Sequence, residues 1–223
     1  GGVNAREDCS DFCFIVILYI YKKFYKDLSE TARKEIEKAA VNYRYWIDEP
    51  GDDVMWFFSE NHALLFHICQ YLAGSYFPKQ VFTNSGRIGQ EVKQHGEELL
   101  NEWFDAFFEE FVTEWNSNAY IPIDVHGFGF LYNLTDKDTP LHEKAKKALD
   151  MVAYSITMNA HKGVVMTSFG RTYEKELKGN DNTGITTLLY ILYNAGHLNC
   201  DGAGSIALAV SDYTAPEEYR ENI

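Results

Sequence analysis

Four polar residues, Ser59-Glu60-Asn61-His62, stand directly before a long and mostly apolar run that ends near Gly74. A helix that is apolar on nearly every side belongs in the interior of a protein, surrounded by other helices. Its first turn then brings polar side chains together with free backbone N–H groups and the positive end of the helix dipole. We therefore expect Asn61 and His62 to form half of a site for an anionic ligand such as a sugar carboxylate.

The elements that must position these residues are helices, because apolar residues recur along the chain with a period near 3.6. Almost no strand is predicted, and residues 164–173 are expected to form a loop or a short hairpin. Pro122 fits a helix only if it lies in the first turn. No element is assigned beyond Gly196. The seven predicted helices cover, approximately, residues 10–26, 29–47, 59–77, 90–111, 116–134, 141–159 and 183–193.

The predicted helices alternate in character along the chain. The first, third, fifth and seventh are apolar, whereas the second, fourth and sixth are amphipathic and charged. This alternation is typical of a layered array in which outer helices wrap inner ones. Each inner helix begins at a polar cluster, and the clusters recur at intervals of roughly 50 to 65 residues, the length of a two-helix repeat. The sequence therefore predicts one all-α domain over residues 1–223, an (α/α) toroid or partial toroid.

Composition excludes several functional classes. The 33 acidic residues exceed the 20 basic ones, and the net charge of -13 disfavours nucleic acid and anionic membranes as partners in a chain without a basic patch. The apolar run 12–21 is about half the length needed to span a bilayer, so no membrane span is expected. No cofactor is expected either, since neither a metal-ligand set nor a phosphate-binding glycine motif is recognisable. The oligomeric state is left open.

The four cysteines lack both the dense spacing of a disulfide framework and the paired spacing of a zinc site. Cys9 and Cys13 are one helical turn apart, Cys69 lies in the apolar run, and Cys200 lies in the tail. We expect buried thiols. The redox compartment stays open.

The Asn61-His62 pair opens one inner helix, and Tyr120 opens the next inner helix a little under sixty residues later. This arrangement resembles the toroid domain of heparinase II/III-type and alginate-lyase-type polysaccharide lyases. The resemblance covers about residues 10–193. Enzymes of that kind carry a complete toroid and a β-sandwich that contributes further catalytic residues. The chain is thus expected to be a fragment of such an enzyme, a reduced relative, or a protein that shares only the scaffold.

The resemblance implies β-elimination on a uronic-acid-containing polysaccharide or oligosaccharide, by a secreted or periplasmic protein. Asn61 and His62 would neutralise the carboxylate and stabilise the enolate. Tyr120 would act as base, acid or both if nearby positive charge lowers its pKa. Arg171 would clamp the carboxylate through its guanidinium. Substrate-binding residues are then expected to be Glu60, Trp115, Asn118 and Tyr173.

Two other functions remain open at this stage. A glycoside hydrolase on the same toroid would need two carboxylates facing each other at roughly 5 to 10 Å. A helical module could also bind a glycan or a partner protein without catalysis, with tryptophans stacked on sugar rings. Each singled-out residue also has a structural explanation: Ser59 as a helix cap, His67 as a core histidine, and Arg171 as a brace within its loop. The candidate hydrolase carboxylates are Glu60, Glu114, Asp124 and Asp181.

Overall fold

The computed structural model of the protein describes residues 1–178, 182–199, 201–202 and 204–223. Helices predominate, which confirms the all-α prediction. The first half contains α1 (Gly2–Ala5), α2 (Ser10–Lys23), α3 (Glu30–Asn42), α4 (Glu60–Tyr76) and α5 (Gly89–Glu110). The second half contains α6 (Ile121–Leu134), α7 (Pro140–Met158), β1 (Ala160–His161), β2 (Val164–Val165), α8 (Glu174–Leu177), α9 (Gly184–Tyr193), α10 (Ser205–Ala209) and a 3-10 helix (Glu217–Asn222).

All seven predicted helices are present, but three of their ends differ from the prediction. The first ends at Lys23, and the second at Asn42, because Tyr43 adopts an extended backbone with ψ of 149°. The fifth begins only at Ile121, since Asn116 is left-handed with φ of 49° and no helix can continue through it. Pro122 lies in the first turn of α6, as predicted.

The segment after α7 contains a very short hairpin. β1 and β2 pair antiparallel, with Ala160 opposite Val165 and His161 opposite Val164. The prediction was a loop or a short hairpin within residues 164–173; only the second strand of the observed hairpin lies in that range, and its first strand and turn precede it. Residues 166–173 are irregular, as expected for a loop. The helices α1, α8 and α10 and the 3-10 helix were not predicted, since each is too short to show a clear apolar period.

The chain divides into two compact units, residues 1–106 and 107–223, with the division inside α5. In the first unit α2 packs mainly against α4, and twelve of the 17 residues of α4 are buried. In the second unit α6 packs against α7 and α10, and eleven of its 14 residues are buried. Both helices are therefore interior elements of their own unit, whereas α3 buries only Ala40. The prediction of one domain stays a prediction.

Helices α4 and α5 approach each other at glycines within the first unit. A methyl group on Gly74 would lie 2.6 Å from the carbonyl oxygen of Gly89 and still closer to the backbone nitrogen of Lys93. A methyl group on Gly96 would lie 2.7 Å from the backbone nitrogen of Tyr71. Real side chains do not tolerate such distances, so this approach requires glycine.

Among the described helices, none combines the length and the apolar character that crossing a bilayer requires.

His67, on α4, is a core histidine, which is one of the interpretations that the sequence allowed. Its side chain is 4% exposed, its ring lies 4.3 Å from that of Trp46, and its Nδ1 has no hydrogen-bond partner among the described residues. Burial, together with the charge of His95, lowers the pKa of His67 to about 3. The imidazole is thus neutral at physiological pH.

We expect His67 to make the fold sensitive to acid. Because its folded pKa lies below the ordinary 6.5, its neutral form is favoured by folding, and that stability is complete above pH 6.5 and is lost as the pH falls towards 3. The loss has a limiting slope of about 1.4 kcal/mol per pH unit, or about 2 kcal/mol between pH 6 and 4.5. Urea unfolding of wild type and His67→Leu at several pH values measures the difference. The exposed His161→Gln serves as control, and a parallel pH dependence of wild type and His67→Leu would contradict the prediction.

Candidate functional site

Two irregular segments of the second unit, 114–120 and 167–173, are joined by hydrogen bonds. Ser117 Oγ donates to the carbonyl oxygen of Arg171 at 2.6 Å, and the backbone N–H of Gly170 donates to the carbonyl oxygen of Trp115 at 2.8 Å. Such long-range bonds fix a loop that has no regular structure of its own. They hold Arg171 next to the start of α6.

Tyr120, Arg171, Tyr173 and Glu114 form what we call the phenol–guanidinium cluster. The Cζ atom of Arg171 lies 3.8 Å from the ring centroid of Tyr120, and the hydroxyls of Tyr120 and Tyr173 are hydrogen-bonded to each other. Arg171 Nη1 also donates to Glu114 Oε1 at 2.7 Å. Arg171 and Tyr173 are exposed and Tyr120 is half-buried, so a ligand can reach the cluster from solvent.

The environment of Tyr120 favours its neutral form. Burial raises the pKa of Tyr120, the hydrogen bond with Tyr173 raises it further, and the charge of Arg171 opposes both without reversing the net shift. The lowered pKa that a tyrosine base needs is therefore not produced by these neighbours. Tyr120 therefore keeps its proton at neutral pH.

Trp115 and Asn118 lie beside the phenol–guanidinium cluster. Asn118 is buried, and its Oδ1 accepts a hydrogen bond from Thr172 Oγ1 at 2.9 Å. It therefore supports the loop that carries Arg171. Trp115 is 50% exposed and lines an apolar cleft of about 430 Å³ together with Phe111 and the aromatic and methionine side chains of α7. An exposed indole at a cleft can stack on a sugar ring.

His62 lies in the first unit and is paired with a residue that the sequence reading did not connect to it. Its Nδ1 lies 2.8 Å from Oδ2 of Asp11, which is fully buried at the start of α2, and its ring stacks on Phe12 at 4.8 Å. Burial raises the pKa of the Asp11 carboxyl, and the hydrogen bond to His62 opposes this. Asn61 is also fully buried. Glu60 is half-buried, and its carbonyl oxygen accepts a hydrogen bond from Trp103 Nε1 at 3.1 Å.

The structure thus brings some of the expected site residues together and leaves the grouping of others untested. Tyr120, Arg171 and Tyr173 meet in the second unit, with Trp115 and Asn118 nearby. Glu60, Asn61 and His62 belong to the first unit. Their expected gathering around one substrate stays a prediction.

Comparisons of the chain with protein-family models, with curated proteins and with solved structures returned no match. The resemblance to polysaccharide lyases stays a prediction. Function has to be argued from the geometry of the clusters.

The carboxylates of the hydrolase alternative occupy very different environments. Glu114 is engaged by Arg171, and Asp124 is buried in α6 with 1% exposure. Glu60 lies in the first turn of α4, where the helix dipole stabilises a carboxylate. Asp181 lies outside the described residues. Nothing in these positions favours an acid–base carboxylate pair.

The expectation of buried cysteines was partly wrong. Cys69 is buried, but Cys9, which precedes α2, and Cys13, which lies on α2, are exposed because the buried face of this helix points the other way. Cys200 lies outside the described residues. Donor atoms of Asp8, Cys9 and His62 lie within 4.8 Å of one another, the kind of set that can hold a metal ion. Asp8 and Cys9 directly precede the first predicted inner helix, and this position was the available signal.

Proposed function

We propose that this chain acts on acidic polysaccharides by β-elimination, with the phenol–guanidinium cluster of its second unit as the site. The observation that carries the proposal is the stacking of Arg171 over Tyr120, whose hydroxyl is hydrogen-bonded to that of Tyr173. A positive charge and two phenols then lie within one small, solvent-accessible patch. A uronate presents the matching groups: a carboxylate, an acidic α-proton and a leaving oxygen.

Arg171 supplies the charge that recognises the carboxylate. Guanidinium binds carboxylates through several N–H donors in a planar fork, and the bond to Glu114 uses Nη1. The half-exposed side chain can therefore turn a further edge to a ligand. Neutralising the carboxylate makes the α-proton easier to remove, because negative charge develops there in the transition state.

Tyr120 supplies the proton for the leaving oxygen. The hydrogen bond between Tyr120 and Tyr173 also gives the α-proton a destination. With one proton shared between the two oxygens, the oxygen of Tyr173 takes the α-proton while Tyr120 gives its proton to the leaving oxygen, and transfer of a proton from Tyr173 to Tyr120 along their hydrogen bond restores the pair. Trp115 offers a stacking surface for a neighbouring sugar.

The toroid-type alternation of inner and outer helices is also part of this proposal. It is supported by burial inside each unit, since α4 and α6 are buried on nearly all sides and α3 is largely exposed. In such an arrangement the starts of the inner helices carry the polar residues. Tyr120 occupies the N-cap position of α6, in agreement with that scheme.

The test is turnover of uronate polymers by the purified chain. We expect an increase in ultraviolet absorbance from the unsaturated product with alginate, heparan or another uronate polymer. Arg171→Gln should weaken substrate binding by about 10- to 100-fold, the value of one or two charge-assisted hydrogen bonds. Calorimetric titration with an oligosaccharide measures this loss directly.

Lys137→Gln is the matched control, since Lys137 is an exposed cation of the same unit that pairs with Asp212. Its affinity and rate should equal those of wild type. New reducing ends without the ultraviolet signal would indicate hydrolysis and contradict the elimination. Binding without any turnover would identify a glycan-binding module instead.

A further inference from the structure

The start of α2 and the first turn of α4 bring together three side chains that the proposed function does not use as a group. Asp8, Cys9 and His62 each place a donor atom within 4.8 Å of the other two. They are separated by about fifty residues in the sequence and meet because α2 packs against α4. We propose that they bind a zinc ion.

The buried imidazole of His62 is oriented for this role by Asp11. The carboxylate oxygen Oδ2 lies 2.8 Å from Nδ1, and both side chains are buried, so the ring is held in one position with Phe12 stacked against it. A carboxylate accepts the proton of Nδ1, which leaves Nε2 with a lone pair. Metal-binding histidines in proteins are commonly fixed in this way by a carboxylate on the other ring nitrogen.

The chemical types of the three donors select the metal. Sulfur, imidazole nitrogen and carboxylate oxygen together suit zinc, whereas magnesium and calcium take oxygen ligands almost exclusively. Asp8 and Cys9 are adjacent, and the backbone N–H of Cys9 donates to Oδ1 of Asp8 at 3.0 Å, so the carboxylate stands beside the sulfur. A thiolate and a neighbouring carboxylate repel each other. A divalent cation between them attracts both groups and offsets that repulsion.

The distances require only a small adjustment. Ligand atoms around tetrahedral zinc lie roughly 3.5 Å apart, so the donors need to close by about 1 Å from their present limit of 4.8 Å. Asp8 and Cys9 are exposed and can rotate towards the fixed His62. Both also line a cleft of about 440 Å³ that is bordered by α3, so an ion can reach these two side chains from solvent.

Cobalt titration of the full chain, after dialysis against a chelator and reduction of its cysteines, tests the site. A cobalt ion bound by a thiolate gives a sulfur-to-metal charge-transfer band in the near ultraviolet. We expect one cobalt per chain with this band, and its loss when zinc is added. Cys9→Ser should abolish the band. Cys13→Ser is the matched control, since Cys13 is an exposed cysteine one turn further along α2, and this variant should keep the band.

Asp11→Asn tests the orienting role of the carboxylate. This variant should bind zinc about 10- to 100-fold more weakly than wild type, as measured by competition with a chromogenic chelator. Cooperative unfolding in urea, as in wild type, checks that it is folded. Absence of stoichiometric binding in wild type, or a band that survives Cys9→Ser, would overturn the proposal. Both readouts are independent of any activity towards polysaccharides, so failure here leaves the proposed elimination unaffected, and success assigns His62 to a metal.

Discussion

Tyr120→Phe should lower the turnover rate of a uronate polymer by about 10²- to 10⁴-fold, the usual value of a positioned acid or base. The change removes one hydroxyl and leaves the ring beneath Arg171, so the stacking at 3.8 Å and the binding of substrate should survive. The loss should therefore appear in kcat, with KM nearly unchanged. Steady-state measurement of the unsaturated product at several substrate concentrations separates the two parameters.

The pH profile gives this prediction a second readout. Burial and the hydrogen bond with Tyr173 raise the pKa of Tyr120. The wild-type rate should therefore not fall on the alkaline side until the pH exceeds the ordinary pKa of a tyrosine. Tyr190→Phe is the control, since Tyr190 is a half-buried tyrosine of α9 in the same unit. It should retain full activity. Equal rates for wild type and Tyr120→Phe would remove Tyr120 from the mechanism.

Gly74→Ala should destabilise the protein by about 1 to 2 kcal/mol net. Alanine has the better helix propensity, by about 1 kcal/mol, so an exposed site would gain stability from this change. At Gly74 the added methyl group meets the backbone of α5, 2.6 Å from the oxygen of Gly89, and backbone atoms cannot rotate away as a side chain can. Overpacking of this kind costs about 1–3 kcal/mol, and more where the neighbour is fixed. The free energy of unfolding in urea measures the net effect.

The sign of the change decides between the two effects. A gain in stability would show that α4 and α5 are further apart than their glycines indicate. Ser75→Ala is the control, because Ser75 is the next residue on α4 and its hydroxyl donates only within the helix, to the carbonyl oxygen of Tyr71 at 2.7 Å. Its stability should differ from that of wild type by no more than about 0.5 kcal/mol.

The long helices could be predicted from the sequence because their apolar residues recur with a helical period and are the residues that become buried. The run after His62 is apolar on every side, and α4 is buried accordingly. The boundaries were less accurate where single backbone angles decide them, as at Asn116, whose left-handed conformation delays α6 until Ile121. Periodicity contains no information about such angles.

The side-chain clusters were predictable only in part, because they depend on distant pairings. Arg171 and Tyr173 were recognised as candidates from their types, and they do meet Tyr120. The pairing of His62 with Asp11 was not foreseen, since it depends on the packing of α2 against α4. The same packing brings Cys9 to His62, although the spacing of the cysteines in the sequence gives no sign of a metal site.

The segment 167–173 is attached to residues 114–120 across a separation of more than fifty residues, by bonds such as that from Ser117 to Arg171. Contacts between parts so distant along the chain form only after the entropy of closing a long loop has been overcome, whereas helices form from neighbouring residues. A partly folded molecule can therefore have nearly its full helical signal and no assembled phenol–guanidinium cluster. For this protein, a helical circular-dichroism spectrum is a poor measure of complete folding, and a preparation is better judged by whether Arg171 contacts Tyr120.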